Sequence, residues 1–182
     1  MVPLRNKIRV APELRLALYH PQIPQNTGTL LRLSYCLGIP IDLIRPFGFI
    51  TDDKKLKRAG AGCVKFADYG IHDTFEDFLN KYKDVRTVAL DVGENAEAYY
   101  SFRYKPGDIL IVGSEHYGFL KGDLAKITHR VKIPMLPGRR SLNMAVAAAM
   151  VLSEAISRLN LHLPLSRYEG DFATSSSEIS RR

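Results

Sequence analysis

Tryptophan is absent from the 182 residues, and cysteine and histidine are scarce, at two and five. Cys36 and Cys63 have no CxxC neighbour, and the histidines, at 20, 72, 116, 129 and 162, fall at irregular intervals. A disulfide framework and a zinc-type ligand set are thereby excluded, and no metal is expected. Both thiols are expected to be reduced and in the core of a cytoplasmic protein. No stretch approaches the roughly 18 consecutive apolar residues of a membrane span. The most apolar run, Met144 to Leu152, reads as a buried helix. The opening MVPLRNKIRVAPEL carries bases with no apolar stretch behind them and does not fit a secretory signal. The phosphate-cradling patterns GxGxxG and GxxxxGK[ST] are missing, which argues against an ordinary dinucleotide or P-loop site. Acidic residues are in deficit, 19 against 26 Lys and Arg, leaving a net charge of +7. That excess favours an anionic partner, nucleic acid being the commonest.

What is present suits one domain: 46% hydrophobic and 25% charged residues are ordinary for a globular chain with its own core. Residues 1–13 read as a flexible lead-in, 14–163 as a single domain, and 164–182, ending ATSSSEISRR, as a disordered tail. Strand-length apolar runs occur at Leu14 to Tyr19, Ile41 to Ile44, Val85 to Leu90, Asp108 to Val112 and Val131 to Met135, with a short one at Cys63 to Phe66. Helical spacing marks Thr27 to Leu37, stopped by Gly38. A basic helix, DDKKLKRAG, opens on Asp52 and Asp53, and Thr74 caps TFEDFLNKY with Asp77 at the capping-box offset. A short helix is expected over Gly118 to Ile127 and the longest over Ser141 to Leu159. Strands alternating with helices predict an α/β fold, a mostly parallel sheet flanked by helices. Ligands collect at the carboxyl ends of such strands, so the loops at 20–27, 46–52, 91–95, 113–118 and 135–141 carry the functional signal.

Three of those loops are unusual: PQNTG at 24–28, GSEHYG at 113–118 directly after DILIV, and IPMLPGRRSLN at 133–143 before the long helix. Each alone has a plain structural reading. Gly113 and Gly118 would supply turns, Asn26 or Thr27 would cap the first helix, and Ser141 the last. Taken together and in order, they resemble the three motifs of the SPOUT class of RNA methyltransferases. Within that class the chain resembles the small subfamily that 2′-O-methylates the wobble nucleotide of tRNA anticodons. The likeness runs from Leu16 to about Leu159 and includes PFGF at 46–49 and DDKKLKRAG at 52–60. It implies a C-terminal trefoil knot, S-adenosylmethionine as cofactor, tRNA as partner and an obligate homodimer. General folding rules would not suggest the knot. The chain departs from the subfamily in two places. Ser114, His116 and Tyr117 stand where GPETRG is common, and Val146 where many members have a second Asn.

The resemblance assigns roles residue by residue. Asn26, Arg32, Ser141 and Asn143 become the catalytic set. A ribose hydroxyl is a poor nucleophile that needs orientation or a proton acceptor. A guanidinium is a difficult general base, so Arg32 is read as orienting the hydroxyl or a phosphate, with base function the alternative. Asn26 can both donate and accept. Leu90, Gly113, Glu115, Ile133, Met135, Leu136 and Ser141 are expected around the cofactor, Gly113 because a side chain there would block close approach. Glu115 has a second reading, an acid favoured at a helix N-terminus. Lys54, Lys55, Lys57, Arg58, Arg139 and Arg140 are expected to meet RNA phosphates, and Tyr117 or Phe47 to stack on a base. His20 is read as a polar loop residue. The long helix NMAVAAAMVLSEAISRL is apolar around much of its surface, and the resemblance implies that the first and last helices of two copies pack at a two-fold interface. Rival readings are methylation of another tRNA or rRNA ribose, a non-catalytic RNA-binding dimer, and a generic nucleotide-binding α/β protein.

Overall fold

A computed structural model describes residues 14–50 and 54–161. The lead-in at 1–13, the tail at 164–182 and the acids Asp52 and Asp53 lie outside the described residues. Seven strands form one sheet: β1 (Leu14–Tyr19), β2 (Ile41–Ile44), β3 (Tyr69–His72), β4 (Thr87–Leu90), β5 (Glu97–Ala98), β6 (Asp108–Val112) and β7 (His129–Lys132). The helices are α1 (Pro24–Leu37), α2 (Lys54–Ala59), α3 (Phe75–Lys81), α4 (Lys121–Leu124) and α5 (Met144–Arg158). The strand order is β3-β2-β1-β6-β4-β7-β5, and every pairing between these strands is parallel.

Continuous apolar strands follow from burial on both faces. Along β1, Leu16 and Leu18 join a core with Leu30, Leu43, Leu110, Val131, Ala148 and Leu152, beneath α1, α2 and α5. The alternate residues Ala17 and Tyr19 join Ile44, Phe75, Phe78, Ile109 and Ile111 on the opposite face, beneath α3. The period of two along a strand divides the residues between the two layers.

Several elements differ from the sequence reading. The segment Cys63–Lys65 is a 3-10 turn, not a strand. Its apolar character is used against α1 rather than in the sheet. Cys36 is exposed and Cys63 half-buried, so neither is a core thiol. Helix α1 begins at Pro24, three residues before the expected Thr27, because a proline at the first helical position has its φ preset and lacks only an N–H that would be unbonded anyway. Asn26 and Thr27 are therefore buried inside the helix rather than capping it. Gly38, at φ 65°, ends it with its N–H on the Ser34 and Tyr35 carbonyls. The cap of α5 is Asn143, whose side chain accepts from the Ala145 and Val146 N–H groups, not Ser141. The helix expected over 118–127 is confined to Lys121–Leu124, and β7 ends at Lys132 rather than 135. The capping box of Thr74 and Asp77 forms as expected.

Helices α1 and α2 touch backbone to backbone. A Cβ on Gly28 would lie 2.5 Å from the Leu56 carbonyl oxygen and 2.9 Å from the Ala59 Cβ. Only glycine permits that approach.

Candidate active site

At the carboxyl ends of β4 and β6 lies a cleft of about 670 Å³, walled by the segments 112–119 and 133–147 and by the start of α1. Its polar framework is one hydrogen-bonded relay. The N-cap of α1 is Ile23, which has no side chain to bond the orphan N–H groups at that helix start. Glu115, 93 residues beyond Gln22, instead ties down the chain just ahead of the helix: its carboxylate accepts from the Gln22 N–H at 2.8 Å. It accepts from the Ile23 N–H at 3.2 Å and from Asn26 Nδ2 at 3.0 Å as well. Asn26 Oδ1 in turn accepts from Asn143 Nδ2 at 3.0 Å. Asn143 Oδ1 then caps α5 through the Ala145 N–H at 2.9 Å. A carboxylate can only accept, so each amide in the relay has one orientation that satisfies it. The three unusual loops are thus a single unit joined at Asn26.

Of the expected cofactor residues, Leu90, Gly113, Glu115, Ile133, Met135 and Ser141 line the cleft, with Asn26, Asn143 and Arg140. Leu136 does not; its side chain is 73% exposed and turned to solvent. Gly113 is required for a different reason from the one expected. A Cβ there would come within 2.9–3.0 Å of the Gly118 backbone. That contact closes the 113–118 loop, held by reciprocal Ser114–Gly118 backbone bonds of 2.8 and 2.9 Å. Arg32 lies two turns along α1 from the cleft wall, exposed, with no hydrogen bond or ion pair among the described residues. Arg139 is exposed outside the cleft, and Lys54, Lys55, Lys57 and Arg58 stand exposed on α2.

Two features escaped sequence reasoning. Ser114 is buried, and its hydroxyl, on the cleft wall, has no hydrogen-bond partner. The only signal for it was its place inside GSEHYG. The second is a tie across the rim: His20 Nδ1 and the Tyr117 hydroxyl are 2.9 Å apart, and the imidazole stacks on Tyr19 at 3.7 Å. Burial lowers the His20 pKa, opposed by the Asp123 carboxylate. Burial also raises that of Tyr19, reinforced by its hydrogen bond to Asp123. Phe47, the other expected base-stacking residue, is already engaged by Phe49, stacked at 5.6 Å, and by the Arg45 guanidinium, 5.0 Å from its ring centroid. Among the described residues no group of three or more His, Cys, Asp or Glu could hold a metal ion, and no helix is long and apolar enough to cross a membrane.

A parallel sheet covered on both faces thus carries a polar cleft where these three loops interlock. A structure concerned with the 2-OH methylation of C/U34 on tRNA superposes with a TM-score of 0.77 at 38% identity, covering 84% of this chain and all of the other. The chain belongs to the SpoU rRNA Methylase family, which it matches over residues 13–153. A relative from Beijerinckia indica subsp. indica, a tRNA (cytidine(34)-2′-O)-methyltransferase, is 41% identical over 79% of this chain and 91% of its own length. An AdoMet-bound rRNA methyltransferase from Sinorhizobium meliloti shares 25% identity with a TM-score of 0.74, covering 84% of this chain and 59% of the other.

Proposed function

We propose that this protein methylates the ribose 2′-hydroxyl of the wobble nucleotide, cytidine or modified uridine 34, in tRNA anticodon loops, using S-adenosylmethionine. The observation that carries the reading is the Glu115–Asn26–Asn143 relay, set in a cleft that joins an apolar wall of Leu90, Ile133 and Met135 to the polar side chains of Ser114, Arg140 and Ser141. It is supported by relatives that bear this activity in their names over nearly their whole length.

The cleft fits the cofactor. Leu90, Ile133 and Met135 supply an apolar slot, and the partnerless buried hydroxyl of Ser114 has a hydrogen bond to give. When bound, S-adenosylmethionine supplies a methyl group already activated on sulfur. The chain's own residues then have to orient the acceptor and exclude water. Asn143 is held rigid by its bonds to Asn26 and α5, and Ser141 beside it presents a hydroxyl to the cleft. Both suit a ribose edge. Glu115, engaged by three donors, serves as the keystone of the relay rather than as a proton acceptor.

Arg32 faces solvent outside the cleft of its own chain, so its part in transfer requires bound RNA or a second copy to bring the pieces together. The homodimer belongs to the same proposal. Its support is the apolar surface left on α5 and just before it, where Val146 is 52% and Leu142 41% exposed. The knot belongs to it too, supported by a strand order that places β6 between β1 and β4. Lys54, Lys55, Lys57, Arg58, Arg139 and Arg140 are assigned to RNA phosphates, in the cytoplasm where tRNA is processed.

Methyl-labelled cofactor incubated with total tRNA, followed by mapping of the labelled nucleotide, tests the reading. Label on a wobble ribose is the expected result. Label on another ribose would overturn the substrate. No label and no cofactor binding would leave a non-catalytic RNA-binding protein. Arg32→Ala should lose transfer while calorimetric affinity for the cofactor stays as in the wild type; wild-type rates would remove Arg32 from the catalytic set.

A further inference from the structure

Two aromatic rings stand in the open where α1 meets the 3-10 turn at Cys63–Lys65. Tyr35 is 39% and Phe66 45% exposed. Their ring centroids are 5.9 Å apart at 32°, so they form one continuous aromatic surface. The Lys65 ammonium lies 4.9 Å from the Phe66 ring centroid. Arg32, one turn before Tyr35 on α1, is a neighbour on the helix surface and is exposed. On the adjoining α2, Lys54, Lys55, Lys57 and Arg58 are exposed as well. Neither α1 nor the stretch 54–67 contains a single carboxylate. An aromatic surface beside a run of cationic side chains matches the chemistry of unpaired nucleic acid, with nucleobases stacking on rings and phosphates meeting Lys and Arg. A protein partner would be expected to meet a more apolar patch with mixed charge.

We propose that Tyr35 and Phe66 form a stacking platform for an unpaired base of the substrate RNA, with Lys65 and Arg32 contacting the flanking phosphates. This rests on reading the protein as an RNA methyltransferase. The position suits it. Helix α1 carries Asn26 at the cleft and Tyr35 nine residues on, about 13 Å along the axis at 1.5 Å per residue. The platform and the cleft are thus placed to engage the same RNA loop at two points. The platform reads an open base without reading its hydrogen-bonding edge, so it selects for unpaired RNA rather than for a base identity.

Binding of a short fluorescent RNA hairpin with an unpaired loop, against a fully paired duplex of the same length, tests the platform. The Tyr35→Ala/Phe66→Ala double variant should bind the hairpin roughly tenfold or more weakly while its duplex affinity is unchanged. Its salt dependence should stay that of the wild type, whereas Lys65→Ala should lower the salt slope by about one. Tyr35→Phe, which keeps the ring, should bind as the wild type does. Unchanged hairpin affinity in the double variant, with the wild type binding RNA and transferring methyl groups, overturns the platform alone. A change in elution volume on size exclusion with RNA affinity intact would make the patch a protein contact and also overturns it. A wild-type protein that neither binds the hairpin nor methylates tRNA removes the underlying reading together with the platform.

Discussion

The buried carboxylates at the amino edge of the sheet and the cleft carboxylate at its carboxyl edge are held in opposite ways. At the amino edge they are saturated by side chains. Asp108 takes the Arg86 guanidinium in a two-pronged pair at 2.7 and 2.6 Å. Fully buried Asp42 takes Arg15 at 2.7 Å, His72 at 2.7 Å and the Tyr82 hydroxyl at 3.1 Å. A pocket of about 480 Å³ lies at that edge, but its arginines are spent on these pairs. At the carboxyl edge Glu115 meets no cation among the described residues; it is held by backbone N–H groups and an amide, and next to it Ser114 keeps a hydroxyl in reserve. Closed ion pairs fix strands in place, whereas amides and N–H groups leave bonding capacity for a ligand. The difference separates scaffold from site without reference to any relative.

That contrast breaks most readily at the amino edge. Arg86→Ala would strand Asp108, 1% exposed, with its backbone partner alone, and should cost about 3 kcal/mol in denaturant unfolding. Cofactor affinity of the folded protein should be untouched; an affinity loss would show that the two edges are coupled. Asn26→Ala should cost less in stability, about 1–3 kcal/mol, since Glu115 keeps its two backbone donors. It should lower transfer by roughly a hundredfold, because Asn143 loses its tether and the acceptor its alignment. Transfer at wild-type rate would show the relay to be a scaffold only.

The smallest effect concerns His20. Burial holds its pKa below the ordinary 6.5, so the folded state disfavours the proton that the unfolded chain accepts. Its contribution is therefore present above pH 6.5 and fades as pH falls through the lower folded value. The wild-type melting temperature should decline over that interval more steeply than that of His20→Gln. Equal slopes would show that burial of His20 imposes no proton linkage.

How far the sequence was legible follows from range of interaction. The central strands could be read because burial on two faces leaves unbroken apolar runs such as DILIV. The edge strand β3, YGIH, was missed: its first three residues remain partly or fully exposed and one is glycine. Strand β5 spans two residues, too few for any period. The cap on α3 was visible because its partners are three residues apart. The tie that holds the entry to α1 was not, because it comes from Glu115, 93 residues from Gln22. Ser141 and Asn143 were equally good caps on chemical grounds; only the path of the chain selects Asn143. The site residues were recognised as motifs, but the bond that makes them one device, Asn26 to Asn143, spans 117 residues.

The bare backbone contact at Gly28 has a mechanical consequence. With only main-chain atoms and the Ala59 methyl between α1 and α2, the spacing of the cationic helix from the cleft is set by atoms that cannot swing or compress. The pair acts as a fixed gauge: under the proposed function, an RNA strand held on α2 would reach the cleft at one offset, and a strand with the wrong number of intervening nucleotides would present the wrong ribose.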